Sequence, residues 1–226
     1  MIKRHIRYAT AHQKGQIKKW RNRMTDVPAF LLGNGPSLND YDISPLESYF
    51  TIGINRSFLK LSSNILMWQD KEFWFSEKKN IIKDRSIKVC RDTSDPLRRY
   101  FHFKLINGSF SLPQHPGVLY GTGSTGPLAV QLAHALGCNP IVLLGFDCKK
   151  RNGVTDFYGN NGHHKQHTMK NCFAGLQWIQ KEITDREIIS CSDNDVFERK
   201  PLPEVIKSID TKWQKNKSYY AEMLKI

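Results

Sequence analysis

The chain has 226 residues with a hydrophobic fraction of 39%, which predicts one soluble globular domain with a small appendage. No apolar run reaches the roughly 20 residues of a membrane span, and no apolar core of a secretory signal follows the basic N-terminus. The formal net charge of +13 predicts acidic partners, such as nucleotides, nucleic acid or an anionic membrane surface. A basic surface that serves only solubility is the alternative.

The chain divides into three predicted parts. Residues 1–26 form a basic arm or helix, 27–200 an α/β nucleotide-binding domain, and 201–226 a helical tail. The arm carries much of the positive charge, so we expect it to attract an acidic polymer or a membrane surface. Five scattered cysteines without a CxxC pair predict a reduced, cytoplasmic protein with neither a disulfide framework nor a Cys-ligated zinc site.

Short apolar runs alternate with helical patterns along the domain. The predicted strands are Ala29–Gly33, Phe50–Asn55, Ile65–Asp70, Ser86–Cys90, Pro140–Asp147 and Glu187–Cys191. The predicted helices are Pro127–Gly137 and 171–183, whereas 91–120 has poor periodicity apart from a short strand near Phe110–Leu112. This alternation predicts an α/β fold, a doubly wound, mostly parallel, Rossmann-like sheet whose ligand lies beyond the carboxyl ends of the strands.

The first predicted strand runs into a turn with the sequence Gly33-Asn34-Gly35-Pro36-Ser37. Pro suits the first helical position and Ser can cap free N–H groups, so the turn predicts backbone donors for a nucleotide phosphate. The pattern is neither GxGxxG nor a P-loop, and an ordinary strand–turn–helix connection is the alternative. If the turn binds the nucleotide directly, a bulky residue at Gly35 abolishes binding and leaves the fold intact.

Further polar residues fall at the same predicted edge. Asn55 follows the second strand, and Ser124-Thr125-Gly126 opens a helix where hydroxyl and N–H groups could hold a phosphate or a base. Asp70 and Asp147 each end a strand, where they could hold magnesium with a nucleotide polyphosphate or cap a helix.

A loop predicted over about 148–168 contains His163, His164, His167 and Tyr158. A neutral imidazole there could act as a general base on an acceptor hydroxyl, with His167 slightly favoured. The phenol of Tyr158 could stabilise a departing phosphate. Metal binding by the histidines is a weaker alternative because no carboxylate follows in a known metal spacing, and a polar surface loop is the third.

These motifs together resemble family 42 glycosyltransferases, the bacterial sialyltransferases that use CMP-sialic acid. The resemblance lies in Gly33–Leu38, Asn55, Ser124–Gly126, Ala135–Gly137 and Gly145–Asp147. It implies a GT-A-like fold, a CMP-sugar class donor held by the first three segments, a glycan acceptor and a loop histidine as base. It implies no metal and leaves open a homo-oligomer. From their positions after strands, we also expect Asp70 and Asp147 to lie at the nucleotide site.

The same Gly33–Leu38 and Gly145–Asp147 patterns also resemble 6-hydroxymethylpterin pyrophosphokinase-like proteins, some with relatives in bacteriophages. That resemblance implies pyrophosphoryl transfer from ATP, with magnesium on Asp70 or Asp147. A third hypothesis is a non-catalytic module that binds a nucleotide or nucleic acid.

Overall fold

A computed structural model of the chain describes residues 17–95, 99–121, 123–160 and 166–224. Within this part, eight strands form one sheet in which every neighbouring pair is parallel. The strands are β1 (Ala29–Leu32), β2 (Phe50–Ile54), β3 (Ile65–Trp68), β4 (Ile87–Arg91), β5 (Phe101–Asn107), β6 (Val118–Gly121), β7 (Ile141–Leu144) and β8 (Ile188–Ser190). The predicted α/β, Rossmann-like class is confirmed.

The strand order is β6-β5-β4-β3-β2-β1-β7-β8. The chain builds outward from β1 to β6 and then returns to the other side of β1 with β7 and β8. The order therefore reverses between β1 and β7, which pair from Ala29↔Ile141 to Leu32↔Leu144. In open parallel sheets, the crevice at such a reversal is the usual ligand site.

Helices cover both faces of the sheet. They are α1 (Lys71–Lys83), α2 (Thr125–Leu136), α3 (Gln166–Glu182), α4 (Leu202–Ser208) and α5 (Lys217–Met223). Along β1, Ala29 and Leu31 pack with α2 and α3, whereas Phe30 and Leu32 face a second core that includes α4. The alternation follows from the period of two in a strand, and burial on both faces explains why β1 and β7 are continuously apolar.

The ends of the described chain pack on the domain. Ile17, Trp20 and Met24 are buried in the main core, and so are Tyr220 and Leu224 from the predicted tail. Residues 17–24 of the predicted arm are therefore part of the domain, because their apolar side chains complete its core. Of the basic residues between them, Lys18, Lys19 and Arg21 are exposed. Residues 1–16 lie outside the described residues.

The middle of the chain differs from the prediction. Residues 91–120 contain β5 and β6, and the predicted strand at Phe110–Leu112 is not formed. Phe110 instead stacks on Trp178 of α3, with ring centroids 5.3 Å apart, so its apolar side chain is used in packing outside the sheet.

The cysteine prediction is corrected in one respect. Cys148 and Cys172 form a disulfide, because the segment after β7 and the second turn of α3 bring their Cα atoms to 5.5 Å. Cys90, Cys138 and Cys191 are free and buried. None of the helices in the described residues combines the length and apolar character needed to cross a membrane.

Candidate functional site

The turns after β1 and β7 pack directly against each other at the strand-order reversal. The Gly33 N–H donates to the Leu144 carbonyl at 2.7 Å, and the Gly35 N–H to the Gly145 carbonyl at 2.8 Å. A Cβ atom on Gly33 would lie 2.3 Å from the Gly145 oxygen, and one on Gly35 would lie 2.2 Å from an Asp147 carboxylate oxygen. Both glycines are thus required by close packing within the chain, and their N–H donors are already used.

Asp147 holds the first turn from the opposite side. Its Oδ2 accepts the Ser37 N–H at 2.9 Å, and its Oδ1 accepts the Ser37 hydroxyl and the Asp193 N–H, the latter at 3.1 Å. Burial raises the pKa of Asp147, although the hydrogen bonds from Ser37 and Asp193 oppose that shift. Pro36 begins a 3₁₀ helix over Pro36–Asp40, as its position in the turn predicts. These contacts give Asp147 and Ser37 a bracing role.

Two asparagines beside this turn present unpaired acceptors. Asn34 is 8% exposed, and its Nδ2 donates to the Ile54 carbonyl at 3.0 Å. That bond fixes the amide orientation and leaves Oδ1 buried, without a hydrogen-bond partner among the described residues. Asn55 follows β2, the neighbour of β1, and its Oδ1 is likewise buried and unpartnered in the described chain. A buried acceptor without a donor is costly, so this pair points to a ligand that donates hydrogen bonds.

Arg56 and Tyr158 form the next part of the edge. The Arg56 Nε donates to Glu77 of α1 at 2.7 Å, and its guanidinium lies 5.2 Å from the centroid of the Tyr158 ring. Burial lowers the pKa of Arg56, but hydrogen bonds to Glu77 and Tyr158 outweigh it and raise the pKa overall. The sequence analysis missed Arg56; its position directly after Asn55 was the available signal.

The loop that carries Tyr158 is attached to the first turn. The Phe157 N–H donates to the Asn34 carbonyl at 2.8 Å, and the Asn39 side chain donates to the Phe157 carbonyl at 2.8 Å. Arg151 of the same loop makes two hydrogen bonds to Asp40, at 2.6 and 2.7 Å. Tyr158 is therefore brought to the edge that the sequence predicts.

The start of α2 lies against the same edge. Ser124 is the N-cap position of α2, and its side chain makes no capping hydrogen bond. Thr125 is 5% exposed, and a Cβ on Gly126 would lie 3.2 Å from the Phe146 ring. The predicted Ser124–Gly126 segment therefore abuts the β7 turn. A helix N-terminus at this place favours a phosphate through its free N–H groups and its dipole.

The histidines are placed differently from the prediction. His167 lies in the first turn of α3 and is exposed, so it is helical and not part of a loop. Asn171 lies one turn later on the same face, and its Nδ2 is 3.6 Å from the Cβ position of Gly123. The His167 face of α3 is thus turned toward the segment before α2. His163 and His164 lie outside the described residues.

The two candidate magnesium ligands follow strands that are not neighbours in the sheet. Asp70 occupies the N-cap position of α1 after β3, whereas Asp147 follows β7. Two strands, β2 and β1, lie between β3 and β7, so three strand spacings place the two strand ends about 14 Å apart. The two carboxylates therefore cannot share one ion, and the magnesium hypothesis depends on each of them separately.

Comparisons with known proteins give weak likenesses. No protein-family profile matches the chain, and no curated protein matches it. Among solved structures, the sialyltransferase CstII from Campylobacter jejuni in complex with cytidine-5'-monophosphate has a TM-score of 0.47 and 14% identity, over 85% of each chain. The α-2,3-sialyltransferase Cst-I from Campylobacter jejuni has a TM-score of 0.46 and 14% identity, over 88% of this chain and 94% of that one. Likenesses of this size carry no argument about activity.

Proposed function

We propose that this chain is a glycosyltransferase that moves a sugar from a nucleotide-activated donor, of the CMP-sugar class, to an acceptor hydroxyl. The carrying observation is that the buried amide oxygens of Asn34 and Asn55, beside the strand-order reversal, have no hydrogen-bond partner among the described residues. A cytidine nucleotide offers matching donors, namely the exocyclic amine of the base and the ribose hydroxyls.

In this proposal the phosphate of the donor lies at the start of α2. The N-terminal N–H groups of α2 face the phosphate, and the cation of Arg56 and the phenol of Tyr158 balance the charge that develops on it. Gly33, Gly35, Pro36, Ser37 and Asp147 shape the turn that carries Asn34, and do not themselves contact the nucleotide.

His167 is the proposed general base. Its imidazole takes the proton of the acceptor hydroxyl while the acceptor oxygen forms a bond to the anomeric carbon of the sugar. The bond between that carbon and the phosphate oxygen breaks, and its electron pair leaves with the nucleoside monophosphate. The exposed position of His167 on the first turn of α3 supports this role because an acceptor must approach it from solvent.

The proposal is tested by replacing Asn55 with glycine and titrating the protein with CMP in a calorimeter. Asn55 has φ +48°, a left-handed conformation that glycine adopts without strain, so the change removes the amide and keeps the turn. We expect CMP affinity to fall at least tenfold, because one hydrogen bond to a buried acceptor is lost.

Asn22→Gly is the matched control. Asn22 also has a positive φ, of 55°, but its N–H bonds to the Ala135 carbonyl near the far end of α2. We expect this variant to bind CMP as the unchanged chain does. Equal CMP affinity in Asn55→Gly and the unchanged chain would refute the site, as would a folded chain that binds neither CMP nor any nucleotide-sugar.

A further inference from the structure

A second polar group lies at the junction of β4 and β5. Cys90 of β4 pairs in register with His102 of β5, and Asp95 lies in the turn that follows β4. The Cys90 sulfur, a carboxylate oxygen of Asp95 and an imidazole nitrogen of His102 all lie within 4.8 Å of one another. Three side chains of types that can bind a metal ion thus lie close together.

This group is buried. Cys90 is 0%, Asp95 1% and His102 9% exposed, and the neighbouring core includes Trp68 and Tyr100. The Asp95 Oδ2 accepts the backbone N–H groups of Arg99 and Tyr100, the latter at 3.0 Å, and lies 3.3 Å from the His102 Nε2. These contacts fix the carboxylate beside the imidazole.

The free thiol of Cys90 is the third possible ligand in this group. A divalent cation among the three side chains would bind the sulfur as thiolate and would balance its charge together with that of the carboxylate.

We propose that Cys90, Asp95 and His102 bind one Zn²⁺ ion. Zinc takes sulfur, imidazole nitrogen and carboxylate oxygen at about 2.0–2.3 Å in tetrahedral geometry, with a water in the remaining position. Such ligand atoms lie about 3.3–3.7 Å apart. The His102–Asp95 contact of 3.3 Å already has this spacing, and the sulfur lies within 4.8 Å of both partner atoms. The ion ties β4, β5 and the turn between them together, and is separate from the proposed donor site.

The first experiment measures zinc in the full-length protein. Zinc content is determined by mass spectrometry after purification without chelator, and affinity by competition with a chromophoric chelator. We expect one equivalent of zinc per chain. Cobalt(II) titration into the metal-free protein should give the absorption band of a cobalt–thiolate bond, which reports directly on a cysteine ligand.

The variants identify the ligands. Cys90→Ser and His102→Gln should each lower zinc affinity at least a hundredfold and Cys90→Ser should remove the cobalt–thiolate band, because a tetrahedral ligand is lost. Cys138→Ser and Cys191→Ser are the controls, since both residues are free and buried like Cys90. These variants should keep the zinc affinity and the cobalt–thiolate band. They therefore show whether a loss in Cys90→Ser comes from a missing zinc ligand or from a serine hydroxyl placed in the core.

Three results would overturn the proposal. They are a folded, unchanged chain that binds no zinc, a cobalt spectrum without a thiolate band, and zinc binding that survives Cys90→Ser but is lost in His167→Ala. If Cys90→Ser does not fold, Asp95→Asn takes its place in the affinity measurement, and the cobalt spectrum of the unchanged chain still decides whether a cysteine is bound.

Discussion

Two groups of residues at one edge of the sheet differ in how their hydrogen-bonding atoms are used. The turn after β1 and the turn after β7 satisfy each other, since Gly33, Gly35 and Ser37 all donate to the β7 segment. Asn34 of the same turn and Asn55 after the neighbouring β2 have buried amide oxygens without a hydrogen-bond partner in the described part of the chain. The most conspicuous part of the sequence is therefore a brace, and the residues best suited to bind a ligand lie beside it.

The difference teaches what a glycine-rich turn can mean. Glycine permits a ligand to approach the backbone closely, but it equally permits another backbone to do so. Here the second use is observed, because the nearest atoms to a Cβ on Gly33 belong to Gly145. A prediction of phosphate binding from such a turn needs free N–H donors, which is why the proposed donor site uses the start of α2.

The largest expected effect is on turnover at the proposed donor site. Replacing His167 with alanine should lower turnover by about 10²–10⁴-fold at unchanged CMP affinity, because a general base is lost and the donor contacts stay. The measurement is steady-state transfer from a CMP-sugar together with calorimetric CMP binding.

His134→Ala is the control for this prediction. His134 lies in the last turn of α2, nine residues from Thr125, where it contacts Asp185 at 3.0 Å. Turnover should not change in that variant. Full activity in His167→Ala would remove His167 from the mechanism and leave the base to be found elsewhere.

The second-largest expected effect is on the stability of the turn after β1. Gly35→Ala should lower the free energy of unfolding by about 2–3 kcal/mol, because its Cβ would overlap the Asp147 carboxylate. This corresponds to a fall in melting temperature of roughly 4–12 °C for a chain of this size. The geometry thus changes the sequence-based expectation that a bulky residue at Gly35 leaves the fold intact.

Urea unfolding with and without CMP measures this effect. Gly108→Ala is the control, since a Cβ there meets no atom within 4 Å and only its positive φ, of 78°, disfavours alanine. It should cost about 1 kcal/mol. A Gly35→Ala variant of unchanged stability that no longer binds CMP would show that the turn contacts the nucleotide directly.

The smallest expected effect concerns the ion pairs of Asp40, which join the turn after β1 to the segments that carry Arg151 and Arg199. Asp40 ends the 3₁₀ helix of the first turn and binds Arg151 and Arg199. Burial raises the pKa of Asp40, but the hydrogen bonds from the two arginines outweigh it and lower the pKa overall. A lowered pKa stabilises the fold above the ordinary value of 3.8, and this contribution is lost as the pH falls below it.

Asp40→Asn should therefore cost about 1 kcal/mol at pH 7 and progressively less as the pH falls below 3.8, because these ion pairs are partly exposed. Urea unfolding at several pH values measures the difference, with the exposed Glu198→Gln as the control. A cost that is equal at pH 7 and pH 3 would assign the effect to packing and not to charge.

Much of the fold could be predicted because its central strands are buried on both faces. The apolar runs at β1 and β7 admit few other interpretations, and both strands lie where they are expected. β5 and β6 were missed for a physical reason. β5 carries His102 and Lys104 among its apolar residues, and β6 is only partly buried and ends in Gly121. Their parallel pairing is a long-range contact that no local pattern encodes.

The candidate site was predictable as a set of strand ends but not as a set of contacts. The parallel sheet brings Asn34, Asn55 and Ser124 to one edge, as the alternation of elements predicts. The sequence does not reveal which donors and acceptors are already used, so the bracing of Ser37 by Asp147 could not be foreseen. Nor could the helical position of His167, because Lys165, which precedes Gln166 in the sequence, is not a residue type that favours helix starts.

Asn34 belongs to both parts of the site through two different groups. Its side chain faces the β2 end, where a nucleotide is proposed to bind, and its backbone carbonyl accepts the N–H of Phe157 beside Tyr158. In the proposed complex, a donor bound at the Asn34 amide and the backbone beside Tyr158 are therefore linked through a single residue. Any coupling free energy between donor binding and the position of Tyr158 would act equally in both directions.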